Sequence, residues 1–305
     1  MNILTTGSLG KEFYNSMVNN NLGLNVVYVE KLSQNDIEWA DSLASFAPSD
    51  NVNLSGINWI HSFGAGVEAF LERSDLNDNL VISRTVGELG LKMGEYCLCH
   101  ILNYTQNTYD IFHDNIQKKW IPTYPSRIKN KTALILGTGE MAKGISQIIR
   151  EAGVKSIGIN TKGDQIEEFD NCVAFKDLKL VSNEVDFVIN TLPLTNSTDK
   201  LLDHSFFNCF NGILFINTGR GRTVNTDDLQ IAIKNRNCNF AVLDVFEEEP
   251  LPPDSPLWSN KNILVTPHQA AISDVNDILL SFMSALESIK QQEDNNLFVD
   301  INKGY

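Results

Sequence analysis

The chain has 305 residues, 42% hydrophobic and 20% charged, which is room for two domains with buried cores and ordinary for a globular protein. Its net charge of −14 argues against a nucleic-acid partner, which would require a basic patch to neutralise phosphates. No run of about 18 apolar residues is present to span a membrane, and no basic flank leads an apolar stretch at the N-terminus, so a cytoplasmic protein without a membrane partner is expected.

From the N-terminus, short apolar runs at residues 3–5, 26–29, 57–61 and 80–82 alternate with polar, helix-like stretches and predict a small α/β unit. The pattern changes to a helix at 93–102, a crossover into a second domain. A polar-aromatic helix is predicted at 104–120, ended by the proline-containing segment 121–125. Cys97, Cys99, Cys172, Cys209 and Cys238 are scattered without a second metal-ligand pair, so they read as reduced and structural, and no metal is expected.

Thr132–Leu136 is a continuous apolar strand ending at Gly137, followed by a helix with Met141, Ile145, Ile148 and Ile149 at helical spacing. Between them Gly137-Thr138-Gly139-Glu140-Met141-Ala142 fits G-x-G-x-x-G/A. The first glycine permits a tight turn, the second lets main chain approach a pyrophosphate, and a small third residue lets helix pack on strand. The helix N-terminus then offers N–H groups to the phosphates.

A second strand is expected at 156–159. A dinucleotide site places an acidic residue about 20 residues past the loop to hold ribose hydroxyls of NAD, but this chain has Asn160-Thr161-Lys162. Lys162 suits a 2′-phosphate, favouring NADP(H) over NAD(H). Alternatively, Lys162 is a solvated loop lysine and Asp164 takes the acidic role.

Further apolar runs at Phe187–Asn190, 213–216, 240–243 and Ile263–Val265 complete a parallel, doubly wound α/β sheet. The last three are followed by Asn217-Thr218-Gly219-Arg220-Gly221, by Asp244-Val245-Phe246-Glu247-Glu248-Glu249-Pro250 and by Thr266-Pro267-His268-Gln269-Ala270-Ala271. Ligands bind beyond the carboxyl ends of such strands. An arginine fork holds a carboxylate and polarises a carbonyl. A histidine donates a proton near neutral pH, and a carboxylate beside it favours the charged imidazolium. Arg220, Glu249 and His268 therefore form a complete set for reducing a 2-oxo acid. Each also has a plainer reading: a surface arginine, a solvated acidic run and a structural turn histidine. His61, His100, His113 and His204 read as structural. A long amphipathic helix, Val275–Gln291, and a short tail close the chain.

Taken together these stretches resemble the D-isomer-specific 2-hydroxyacid dehydrogenases, most closely the glyoxylate/hydroxypyruvate reductase A branch. Ser62-Phe63-Gly64-Ala65-Gly66-Val67-Glu68, Met93-Gly94-Glu95-Tyr96, Asn190-Thr191-Leu192-Pro193-Leu194-Thr195 and the closing 299–305 carry the resemblance along with the motifs above. It implies two α/β domains, Rossmann-like and flavodoxin-like, with a cleft between them. Residues 1–97 plus 275–305 would form a discontinuous substrate domain and 98–274 the dinucleotide domain, with a dimerisation arm at about 104–125, including Trp120, and a homodimer as the assembly.

The resemblance implies that Arg220 binds and polarises the substrate, that His268 is the acid/base and that Glu249 is its partner. It assigns the Ala65 and Gly66 amides to the substrate carboxylate and Asp244 to the nicotinamide end. Gly137, Gly139, Glu140, Met141, Asn160, Thr161, Lys162, Leu192, Pro193, Thr198, Thr218 and Gly219 are expected to contact the cofactor. The implied reaction is reduction of glyoxylate or hydroxypyruvate with NADPH. An NAD-dependent dehydrogenase of a larger 2-oxo acid and a non-catalytic nucleotide sensor on the same fold are the alternatives. Ala142, Gly219 and Gly94 depart from the usual residues, as does Phe46, which lies where relatives place Trp beside the substrate and leaves substrate size open.

Overall fold

The computed structural model describes residues 1–19, 24–48, 51–293 and 296–301. The chain forms two compact units, residues 1–89 with 272–305 and residues 90–271. In the first unit the elements are β1 (Asn2–Thr6), α1 (Gly7–Asn19), β2 (Asn25–Val29), α2 (Gln34–Trp39), β3 (Ser42–Ser45), β4 (Trp59–Ser62), α3 (Glu68–Leu71) and β5 (Val81–Arg84). They build a parallel five-stranded sheet in the order β2-β1-β3-β4-β5. Leu4, Leu43, Ile60 and Ile82 pair across it in register and feed one core. The period-2 alternation sends Trp59 and His61 to the other face.

β3 escaped the sequence reading. Its Ser-Leu-Ala-Ser has no β-branched residue, yet all four residues are buried between β1 and β4. Burial on both sides, not propensity, makes it a strand.

The second unit takes in nearly all of α4 (Leu89–Thr105), then α5 (Thr108–Ile116), β6 (Thr132–Leu136), α6 (Glu140–Glu151), β7 (Lys155–Asn160), β8 (Asn171–Ala174), β9 (Phe187–Asn190), α7 (His204–Phe207), β10 (Ile213–Asn217), α8 (Thr226–Lys234), β11 (Cys238–Leu243) and β12 (Ile263–Val265). Its seven strands are parallel, in the order β12-β11-β10-β9-β6-β7-β8. The order reverses between β6 and β9, which creates a topological switch point at their carboxyl ends.

The chain passes between units at the start of α4, earlier than the change of pattern at 93–102 suggested. Gly90 and Gly144 are the reason. A Cβ on Gly144 would overlap the Gly90 main chain, and one on Gly94 would lie 2.7 Å from Ile148 Cγ1. The first turns of α4 therefore lie directly on α6.

The helix expected at 104–120 is shorter and separate. Asn107, in the left-handed region at φ 57°, ends one helix direction and opens α5, which stops at Ile116. Trp120 lies beyond it and is 96% exposed.

α9 (Val275–Gln291) returns to the first unit. Asp274 and Asp277 form its capping box, and Phe282 stacks on Trp59 at 4.8 Å. Of the closing segment 299–305, residues 302–305 lie outside the described residues. Among the described residues, no helix is long and apolar enough to cross a membrane.

Candidate active site

The glycine loop sits at the switch point of the second unit. Gly137 takes φ 101°, and a Cβ there would meet Thr191 Oγ1 at 2.7 Å, so both backbone and space demand glycine. Its N–H bonds the Ile159 carbonyl at 2.9 Å, and Thr191 Oγ1 donates to the Leu136 carbonyl at 2.7 Å. Gly139 differs. It is the N-cap of α6 with no side-chain cap, and a Cβ there would have nothing within 4 Å. An uncapped helix start facing open space fits a dinucleotide pyrophosphate. Glu140 is held by Lys143 at 3.0 Å, and Met141 packs against the core.

At the end of β7, Asn160 Oδ1 accepts the N–H groups of Lys162, Gly163 and Asp164 at 3.2, 2.6 and 3.1 Å, and its Nδ2 donates to the Asp164 carbonyl at 2.8 Å. This fixes the loop that presents Thr161 and Lys162 to solvent. Lys162 makes no ion pair among the described residues.

Arg220, Glu249 and His268 follow β10, β11 and β12, three adjacent strands, so the structure brings them to one edge of the same unit. His268 Nδ1 lies 2.7 Å from Glu249 Oε2, and Glu249 Oε1 accepts the Phe246 N–H at 2.9 Å. Glu249 is thus the member of the acidic run that pairs with the histidine, while Glu247 faces Lys200 at 3.9 Å. His268 adopts φ 51°, and its N–H is shared between the Asp244 and Thr266 carbonyls at 3.0 and 3.1 Å. About half of its side chain stays exposed, leaving the ring accessible to a reactant.

The loops around this trio rest on a buried polar net. Asn190 Nδ2 donates to Asn217 Oδ1 and to Thr223 Oγ1, both at 2.8 Å. Asn217 Oδ1 also accepts the Gly219 N–H at 3.2 Å, and Asn190 Oδ1 that of Leu192 at 3.2 Å. The Thr223 hydroxyl donates to the Arg220 carbonyl at 2.6 Å. Two consecutive strand ends are thereby tied to the Arg220 turn and to Leu192-Pro193. Gly219 is needed where it stands, since a Cβ would lie 2.7 Å from the Leu192 carbonyl. A Cβ on Gly221 would collide with the Phe246 main chain, so the arginine and glutamate segments touch backbone to backbone.

Three residues assigned to the cofactor have their side chains drawn into loop architecture. Thr198 Oγ1 donates to the Pro193 carbonyl at 2.6 Å and Thr218 Oγ1 to that of Asn190 at 3.1 Å. Asp244, 1% exposed, accepts from Thr266 Oγ1 at 2.6 Å, Gln269 N at 2.9 Å and Ala270 N at 2.8 Å. Its carboxylate holds the His268 turn in shape. Asn190, Thr223, Thr266 and Tyr96 had no assigned role in the sequence reading. Asn190 and Thr266 carry one signal, a polar residue closing an apolar strand run, whereas Tyr96 inside α4 and Thr223 in the turn after Arg220 carry none.

Phe46, Ala65 and Gly66 belong to the first unit, after β3 and β4. Ser62 Oγ donates to the Gly66 carbonyl at 2.9 Å, curling the segment so that Ala65 and Gly66 N–H groups have no acceptor among the described residues. Phe46 stands half-exposed against Gly64, where a Cβ would meet its ring at 3.2 Å.

Residues 98–270 match the family model described as D-isomer specific 2-hydroxyacid dehydrogenase, NAD binding domain. A glyoxylate/hydroxypyruvate reductase A of Photorhabdus laumondii is 29% identical over 294 residues, 92% of each chain. The chain superposes on a D-isomer specific 2-hydroxyacid dehydrogenase from Xanthobacter autotrophicus, held with NADPH and MES, with a TM-score of 0.89 at 24% identity over 99% of both chains. An NADPH-dependent glyoxylate/hydroxypyruvate reductase from Sinorhizobium meliloti, held with NADP and sulfate, gives 0.85 at 23% identity over 100% of this chain and 99% of that one. The chain belongs to the D-isomer specific 2-hydroxyacid dehydrogenases, a family of NAD(P)-dependent oxidoreductases.

Proposed function

We propose that the protein reduces small 2-oxo acids, glyoxylate and hydroxypyruvate foremost, to their 2-hydroxy acids using NADPH. The observation that carries this reading is the 2.7 Å His268–Glu249 pair, set one strand away from the Arg220 turn in a unit with a dinucleotide loop. Gly137, Gly139 and the α6 N-terminus would hold the pyrophosphate, with Leu192-Pro193 and Gly219 as the adjoining wall. A bound reduced nicotinamide supplies the hydride. The guanidinium of Arg220 grips the substrate and draws electron density toward the carbonyl oxygen. His268 gives its proton to that oxygen as negative charge develops there, and Glu249 stabilises the imidazolium and fixes the ring. Within the first unit, the Ala65 and Gly66 amides are a pair of N–H groups suited to a carboxylate.

NADPH is favoured because the Asn160 turn presents Lys162 at the end of β7, and because Asp164 is tied there through its main chain. The similar proteins held with NADPH and NADP agree with this choice. A twofold dimer is the assembly we favour, through an arm on which Phe112, Ile116, Trp120 and Tyr124 are each more than 60% exposed. Steady-state rates on a panel of 2-oxo acids with NADPH and NADH test the proposal. Turnover of glyoxylate with NADPH supports it. Preference for a long-chain 2-oxo acid with NADH would replace it with the larger-substrate dehydrogenase, and no turnover with any pair would favour a nucleotide sensor.

A further inference from the structure

The turn that carries His268 is held by a hydrogen-bonded chain reaching a different helix. Tyr96 of α4 places its hydroxyl 2.7 Å from Thr266 Oγ1, and Thr266 Oγ1 lies 2.6 Å from Asp244 Oδ1. Asp244 also takes the N–H groups of Gln269 and Ala270, the two residues after the histidine, while its carbonyl takes that of His268 itself. Thr266 has one hydroxyl proton. Asp244 acts here only as an acceptor, so Thr266 donates to it and Tyr96 must donate to Thr266. Burial raises the Tyr96 pKa above its ordinary value, which keeps that donor proton in place. The ring of Tyr96 is fixed in turn by His100, edge-on at 4.3 Å, and His100 Nδ1 meets the Tyr109 hydroxyl at 2.6 Å.

From this chain we infer that Thr266 is a positioning residue for His268, with Tyr96 setting the direction of its hydroxyl. The inference rests on the reading of His268 as the proton donor. Its physical basis is the left-handed backbone of the histidine, at φ 51°. A non-glycine residue is held there only when its surroundings over-determine it. Removing the Thr266 hydroxyl leaves Asp244 Oδ1 one donor short in a buried site and frees the turn to relax. The imidazole then drifts from Glu249, and the proton it should deliver is misaligned. A displacement of this kind lowers turnover more than it lowers binding.

Thr266→Val keeps the side-chain shape and removes the hydroxyl, and Thr266→Ser keeps the hydroxyl. Both are compared with Tyr96→Phe and His268→Gln by glyoxylate reduction with NADPH and by ¹H–¹⁵N spectra of the imidazoles. Thr266→Val is expected to lower kcat roughly 10- to 100-fold, as a misplaced catalytic group does, with the KM for NADPH kept and with Thr266→Ser restoring most of the rate. In a His268→Gln background the same change should add nothing, because the group it positions is gone. Turnover of Thr266→Val within twofold of the unaltered protein would overturn the inference, as would an equal loss in both backgrounds. Should Thr266→Val not fold, Tyr96→Phe is read against the same two criteria. The spectra separate this result from a failure of the functional reading. The His268 Nδ1–H signal, assigned by its loss in His268→Gln, should broaden or move in Thr266→Val whatever substrate the enzyme takes. An unmoved signal sinks the positioning role on its own, whereas normal turnover by His268→Gln sinks the proton-donor reading.

Discussion

Glu249 holds His268 with one carboxylate oxygen, at 2.7 Å from Nδ1, and its own loop with the other, at 2.9 Å from the Phe246 N–H. One side chain thus sets both the charge beside the imidazole and the distance at which that charge stands. His268→Gln should lower kcat by about 10² to 10⁴-fold, the usual range for general acid–base catalysis, with NADPH binding unchanged by fluorescence titration. Glu249→Gln should cost less, since the amide can still accept from Phe246 while lacking the charge. Near-normal turnover in both variants would remove the pair from the chemistry.

Arg220→Lys tests the guanidinium as a planar fork. A lysine keeps the charge but cannot bind two oxygens side by side, so kcat should fall and the KM for the 2-oxo acid rise together. The thermal midpoint should fall only slightly, because Thr223 still grips the Arg220 carbonyl while the bond from Arg220 Nη1 to the Gly219 carbonyl, at 2.7 Å, is lost.

Lys162→Ala should weaken NADPH by roughly 10-fold, the worth of a charged hydrogen bond of about 1.5 kcal/mol, and leave NADH nearly untouched. Dissociation constants for both nucleotides decide it. Equal losses would mean that the lysine does not read the 2′-phosphate.

Gly221→Ala and Gly139→Ala should fail in opposite ways. The first drives a methyl into the Phe246 main chain and should cost about 1–3 kcal/mol of stability, as overpacking does, seen as a lower melting temperature. The second meets nothing within 4 Å, so the fold should survive while both nucleotides bind less tightly.

Acid should loosen the first unit through His61. Burial lowers its pKa from 6.5 to about 3, so the unfolded chain binds a proton that the folded one refuses. The stability tied to this group is full above pH 6.5 and is lost as pH falls from there toward 3. Each pH unit in that window costs about 1.4 kcal/mol. Urea midpoints followed by tryptophan fluorescence from pH 7.5 to 5 should fall accordingly, and His61→Gln should flatten the slope. A slope unchanged in that variant would place the acid sensitivity elsewhere.

What could be read from the sequence was the part written locally. Thr132–Leu136 and Ile263–Val265 are apolar runs with a glycine or proline turn beside them, and the structure has strands at those positions. β8 at Asn171–Ala174 and β3 were not legible, since Asn-Cys-Val-Ala and Ser-Leu-Ala-Ser hold no run of β-branched or large apolar residues and are recognisable only by their neighbours in the sheet. The positions of Arg220, Glu249 and His268 could be anticipated because each follows its own strand. The supporting net could not. Tyr96 and Thr266 stand 170 residues apart, and Asn190 reads as an unremarkable amide until the sheet lays it beside Asn217.

The contact of Gly90 with Gly144 joins α4 to α6 with only hydrogens between the two main chains. A joint made of side chains can creep, because rotamers exchange and a neighbour fills the gap. This one has no rotamers to exchange. The start of α6, and with it the place where a phosphate would rest, is therefore set against α4 by main-chain van der Waals contact with no side-chain rotamer in between.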